Sequence, residues 1–141
     1  MSSPRQDYAN AIHVLYDAFT RGDMRRCIGF FDPLVVWHSA ENFIYSDESP
    51  YVGVDAVRKL IFERLPSDWD DFSWSPGEIL GGGELVIANG RFSGKFKANG
   101  AYVDAQFVQV FQFKDGLIVK CQMYTDTAQF KEALAKSATA P

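Results

Sequence analysis

Two polar residues set in apolar strands carry the chemistry legible in this chain. Between Tyr102 and Phe113 residue types alternate, and one face reads Val103, Ala105, Phe107, Gln109, Phe111, Phe113. A stripe of this period faces a core, and a carboxamide buried there costs about 1–3 kcal/mol unless it finds a hydrogen bond. Gln109 must therefore meet another polar group, a water or a ligand, which points to a cavity. Its amide hydrogens suit a carbonyl or a developing enolate oxygen. The second residue is His38, within the strand-like run Leu34 to Ala40. Imidazole titrates near neutral pH, so it can take a proton from carbon or water and return it elsewhere on a substrate. A histidine in a strand also serves as a hydrogen-bonded structural residue.

Further candidates collect around these two. Glu41, close to His38, can orient the imidazole, carry a second proton, or simply be solvated. Tyr45 and Tyr51 border the polar and aromatic loop from Glu41 to Pro50 and are placed to line a cavity mouth. Phe92, Phe107, Phe111 and Met123 fall on inward strand positions and would supply apolar walls. Other chemistries lack their residues. The only other histidine, His13, has no partner four residues on, so zinc-type spacing is missing. Gly81-Gly82-Gly83 precedes a strand and not a helix, which is wrong for a phosphate loop, and no exposed nucleophile elbow can be found. Neither a metal nor an organic cofactor is expected.

The elements that position these residues follow from periodicity and punctuation. Tyr8, Ile12, Leu15 and Phe19 recur at helical spacing between Pro4 and Arg21, and Gly22 stops the helix. Asp23 can cap a short second helix that ends near Asp32-Pro33, and a third helix carries Val57, Leu60, Ile61 and Arg64. Strands follow over Phe72 to Leu80, Leu85 to Lys97, Tyr102 to Phe113 and Leu117 to Thr125, with Asn99-Gly100 and Asp115-Gly116 as hairpin signals. Gly90 and Gly94 lie on the inward face of their strand, marking sheet curvature or room for a ligand. Long antiparallel strands with helices gathered at the N-terminal end predict a single α+β domain, residues 1–141, whose helices cover one face of a curved sheet.

Composition narrows the partners. Aromatic residues make up 15% of the 141 residues, enough for a hollow domain receiving an apolar ligand or for an aromatic-rich core. A formal charge of -4 argues against nucleic acid, which needs clustered Lys and Arg; the one adjacent basic pair, Arg25-Arg26, reads as a solvated helix face. No stretch reaches the ~20 apolar residues of a membrane span and no apolar leader opens the chain, so a cytoplasmic location is expected. Cys27 and Cys121 sit in apolar surroundings as free buried thiols.

This order of elements, together with Arg21-Gly22-Asp23, Val35-Val36-Trp37-His38, Tyr51-Val52-Gly53-Val54-Asp55-Ala56-Val57, Gly90-Arg91-Phe92-Ser93-Gly94, Phe111-Gln112-Phe113-Lys114-Asp115-Gly116 and Tyr124-Thr125-Asp126-Thr127, resembles the nuclear transport factor 2-like superfamily, in its SnoaL-like polyketide cyclase and ketosteroid isomerase-like branch. The resemblance implies a conical pocket between sheet and helices and a homodimer formed through the outer sheet face, where Val108 and Val110 lie among polar groups. It places His38 at the strand position of the general base, Gln109 at that of a protonated acid, and the helix tyrosine at Leu15, beside Tyr16. It also draws attention to Asp126, a functional aspartate in cyclase relatives, which by its residues alone is a cap for the helix Thr127 to Ala135.

Two functions are thereby expected. In one, a cofactor-independent isomerase, cyclase or dehydratase moves a proton with His38 while Gln109, with Tyr16 or Asp126, polarises an oxygen of a small hydrophobic carbonyl compound. In the other, the same cavity binds such a molecule without chemistry.

Overall fold

The computed structural model describes residues 8–136. Helix α1 (Tyr8–Thr20) buries Tyr8, Ile12, Leu15, Tyr16 and Phe19 on one broad face. Asp23 accepts a hydrogen bond from the Arg26 amide at 3.2 Å and so caps α2 (Met24–Ile28). Strand β1 (Phe31–His38) begins before the expected Leu34, because Phe31 pairs with Ile118 and the register shift between Phe31 and Val36 absorbs Pro33. After the short β2 (Tyr51–Val52) come α3 (Val54–Val57), a π-turn over Arg58–Phe62, and α4 (Arg64–Asp68), which together form the expected third helical region. Four long strands follow, β3 (Trp69–Gly82), β4 (Leu85–Phe96), β5 (Tyr102–Lys114) and β6 (Leu117–Thr125), and α5 (Thr127–Ala135) ends the described chain.

The strands form one sheet in the order β2-β1-β6-β5-β4-β3, with β1 parallel to β6 and every other pairing antiparallel. The expected α+β architecture, a curved antiparallel sheet covered by helices, is present. At the β5–β6 hairpin Asp115 and Gly116 both take positive φ, 51° and 87°, as a two-residue turn matched to strand twist requires.

Gly90 and Gly94 serve curvature and not vacancy. Register shifts in β3 fall between Asp70 and Ser73, opposite Gly94, and between Pro76 and Ile79, starting at the residue paired with Gly90. A Cβ at Gly94 would lie 2.8 Å from the Phe72 ring, and one at Gly90 would run into the carbonyl oxygen of Ser75. Backbone and ring already fill the space that a ligand would need there. No helix among the described residues is long and apolar enough to cross a membrane.

Candidate functional site

Gln109 sits in the middle of β5, between Ala88 on β4 and Met123 on β6, and is fully buried. Its one polar partner comes from α1: the Tyr16 hydroxyl donates to Gln109 Oε1 at 2.7 Å. The resemblance puts the helix tyrosine at Leu15, beside Tyr16, and the buried face of α1 is wide enough to take both residues inward. Trp74 and Phe107 meet the Tyr16 ring edge-on at 5.6 and 5.8 Å, which holds the phenol in place. Gln109 Nε2 finds no partner among the described residues.

The amide lies on the wall of an interior cavity shared by Trp37, Tyr45, Phe72, Trp74, Phe92 and Met123, with Phe43, Ile61 and Leu65 completing it. The cavity is small, about 10 Å³, room for roughly one water. Of the hollow domain and the aromatic-rich core that composition allows, the interior is nearer the second around this small cavity: Trp74 stacks on Phe19 at 4.3 Å and Phe92 on Phe107 at 4.2 Å, so rings occupy most of the space. Trp37 Nε1 and Trp74 Nε1 are also buried without partners, so the unpaired polar atoms of the wall are all N–H donors.

A polar network closes one side of this cavity. Tyr45, from the loop after β1, donates to Asp68 Oδ2 at 2.6 Å and accepts from Trp69 Nε1 at 3.0 Å. The Arg64 guanidinium lies 4.4 Å from the centre of the Tyr45 ring and reaches Asp47 at 2.8 Å, while the Tyr51 hydroxyl donates to the Tyr45 carbonyl at 2.8 Å. The loop is thus fastened to α4 through its own side chains.

Every shifted acid in this interior is held in its neutral form. Burial, followed by Cys121, pushes the Tyr16 phenol well up. Burial and the hydrogen bond to Asp68 raise Tyr45, and burial and Asp47 raise Tyr51 to about 12. Burial raises Cys121 and, with Asp23, raises Cys27 to about 11. The folded chain therefore keeps protons that the unfolded chain would release above the ordinary thiol and phenol values of 9.0 and 10.0. Stability should be intact below about pH 9 and fall steadily as the pH rises from there towards 12. Urea midpoints followed across that range should decrease while the same protein shows delayed phenolate absorbance.

The structure does not bring His38 to this cavity. Val35 and Trp37 are the inward residues of β1, so alternation turns His38 to the other face, opposite Gln122 of β6. The expectation that His38 and Gln109 face each other is corrected: Trp37 holds the inward position. His38 instead lines a groove on the outer side with Glu41, Ser49, Gln122, Tyr124 and Thr127. Asp126 takes the N-cap position of α5 without making a capping bond, and accepts from Gln129 Nε2 at 3.1 Å. It borders a separate outer concavity with Arg91, Gln106 and Tyr124.

Of the sequence candidates, Tyr16, Gln109, Tyr45, Phe92 and Met123 are thus gathered at one place, with Phe107 and Phe111 packed against the Tyr16 ring. His38, Glu41 and Asp126 are elsewhere. Sequence reasoning missed Trp37, Trp74 and Asp68. The two tryptophans had a signal, since each alternates with a buried neighbour, Val35 and Phe72; Asp68 had none, being an acid in a loop-like stretch. Among the described residues no three His, Cys, Asp or Glu side chains are grouped to hold a metal.

Comparison with known proteins agrees with this architecture. The chain is 24% identical to an NTF2-like protein from Burkholderia thailandensis E264, over 96% of this chain and 100% of that one, with a TM-score of 0.84. TerC, solved with polyporic acid, is 20% identical over 90% of this chain and 97% of its own, with a TM-score of 0.78. A protein from Jannaschia sp. CCS1 described as a SnoaL-like polyketide cyclase is 15% identical over 97% and 98%, with a TM-score of 0.80. No curated protein matches in sequence. A SnoaL-like domain model matches residues 12–121, from the middle of α1 to the middle of β6, and by that match the chain belongs to the SnoaL-like domain family, on the NTF2-like fold.

Proposed function

We propose that this protein is a binding domain for a small, largely apolar compound bearing a carbonyl oxygen, which Gln109 Nε2 receives. The observation that carries the reading is the orphaned amide nitrogen of Gln109, a residue lining a mostly aromatic and aliphatic cavity. An unpaired buried N–H costs about 1–3 kcal/mol, and a ligand carbonyl would recover that cost while displacing at most a single water. Entry requires Phe43 and Tyr45 to move, and both belong to the irregular loop between β1 and β2, the wall that carries no ladder hydrogen bonds. The names of the structural relatives, polyketide cyclases and a protein solved with polyporic acid, sit with a ligand of this kind.

Binding of indanone, a compact apolar ketone, tests this. Calorimetric titration should give one saturable site, and Gln109→Leu should weaken it about tenfold. Equal affinity in both proteins, or no saturable binding to the wild type, would count against the reading.

The catalytic reading of the same site, an isomerase, cyclase or dehydratase, keeps one supporting observation. Tyr45 lies on the wall and shares a 2.6 Å hydrogen bond with the Asp68 carboxylate, a phenol and base in contact. Exchange of the indanone α-protons for deuterium, followed by NMR, separates the two readings: acceleration by the wild type but not by Asp68→Asn supports catalysis, and none supports binding alone.

We also propose that a second copy of the chain covers the outer sheet face. Leu80, Ile87, Val110, Gln122 and His38 form one row across five strands, by the pairings Leu80↔Ile87, Ile87↔Val110, Val110↔Gln122 and His38↔Gln122. Leu80 and Ile87 are 62% and 47% exposed, and Tyr124 in the next row is 54% exposed. Sedimentation should give a dimer for the wild type and a monomer for Ile87→Lys, which sets a charge in the middle of the apolar row.

A further inference from the structure

We infer that Tyr16 is a positioning residue that fixes the Gln109 amide in one of its two orientations, so that the pocket selects hydrogen-bond acceptors against donors and takes compounds with carbonyl oxygens and no N–H group towards the wall. The inference rests on the binding reading above and concerns what that site discriminates.

A primary amide has a donor end and an acceptor end of nearly the same shape, and in apolar surroundings nothing but hydrogen bonding distinguishes them. Here the distinction is made by α1. The buried Tyr16 hydroxyl must give its proton to something, and its bond is to Gln109 Oε1 at 2.7 Å. In that orientation Nε2 is the end left without a partner, on a residue that lines the cavity. Turned over, the amide would still donate Nε2–H to the Tyr16 oxygen, but the Tyr16 O–H would then lack an acceptor and the amide carbonyl oxygen would be unpaired, whereas the orientation present leaves only the NH₂ end unpaired. Burial keeps the phenol protonated, so it remains a donor throughout the physiological range.

A second observation points the same way. The other unpaired polar atoms of the wall, Trp37 Nε1 and Trp74 Nε1, are indole N–H groups, which can only donate. No free carboxylate balances them among the described residues: Asp68 is taken by Tyr45 and Asp47 by Arg64. An amine or an N–H heterocycle entering this space would meet unpaired donors and no unpaired acceptor among the lining side chains, and so leave its own donor unpaired, whereas a ketone or quinone oxygen would be met. Polar mismatch of this kind discriminates far more strongly than a difference in apolar contact.

Three bicyclic probes of one shape test it: indanone, which only accepts, indole, which only donates, and indene, which does neither. Measured by calorimetry or ligand-observed NMR, the wild type should bind indanone at least about tenfold more tightly than indole. In Tyr16→Phe the amide is free to turn, and that ratio should fall to within about threefold of unity, indole gaining as indanone loses, with indene unchanged because the shape is unchanged. A ratio that persists in Tyr16→Phe overturns the inference and leaves the binding reading standing. Failure of the wild type to bind indanone and indene saturably overturns both. A readout that needs no variant uses isotope-labelled glutamine: the Gln109 side-chain NH₂ resonance should move when indanone binds and hold its place when indene binds, and a resonance indifferent to indanone would also overturn the inference.

Discussion

Trp74→Ala is expected to remove about 3–5 kcal/mol of stability, the range for emptying a large aromatic site. Trp74 is 2% exposed, stacks on Phe19 at 4.3 Å, and meets Tyr16, Phe62 and Phe92 at centroid distances of 5.6, 5.5 and 6.0 Å. It joins α1, the π-turn and the sheet, so its loss leaves a void that no single neighbour can fill. Trp74→Phe should cost much less. The indole N–H has no partner, and removing it relieves an unsatisfied donor while a ring stays in the stack. Urea unfolding of the two variants against the wild type gives the comparison, and equal losses would mean that Nε1 is satisfied in solution.

Gly90→Ala should be the most damaging one-carbon change, at about 3 kcal/mol or more, the upper end of overpacking costs. The added Cβ would meet the Ser75 carbonyl oxygen and also come 3.0 Å from the Phe107 ring. Neither can yield cheaply: Ser75 and Pro76 are in register with Arg91 and Gly90, and Phe107 is stacked on Phe92. Gly82→Ala provides the control, since nothing lies within 4 Å of a Cβ there, and its effect should stay within about 0.5 kcal/mol. If the two variants melted at the same temperature, curvature of the β3–β4 ribbon would not depend on this close approach.

These expectations also separate the roles of the aromatic residues. A chain with this many inward rings can build a vessel or a plug, and the rings of this one come close to a plug. The binding reading therefore makes a specific demand on dynamics: the Tyr45 loop, tied down by Asp68, Trp69 and Arg64, must release before anything larger than water enters. On that reading the specificity of the site would lie deep inside, at Gln109, and the control of access at its polar edge.

Local pattern was enough to establish much of this protein. The alternation in β4 and β5 is a period-two signal carried by each residue and its neighbours, so the inward faces, and Gln109 among them, were legible before any coordinate. The Asp115-Gly116 turn and the span of α5 were legible for the same reason, because turn and cap chemistry act over a few residues. What lay beyond the sequence were relations between distant segments. Tyr16 and Gln109 are 93 positions apart, and only the rotation of α1 against the sheet decides that one donates to the other. His38 and Trp37 are adjacent, and although Trp37 shares the parity of Phe31 and Val35, that this face and not the one bearing His38 turns to the cavity is fixed by the pairing of β1 with β6. A strand that slips by one residue exchanges its two faces, and that slip is set by pairing across the sheet, which residue types along one strand do not encode. Fullness of the interior is likewise a property of how rings from five strands and several helices interlock, and composition could count the rings without placing them.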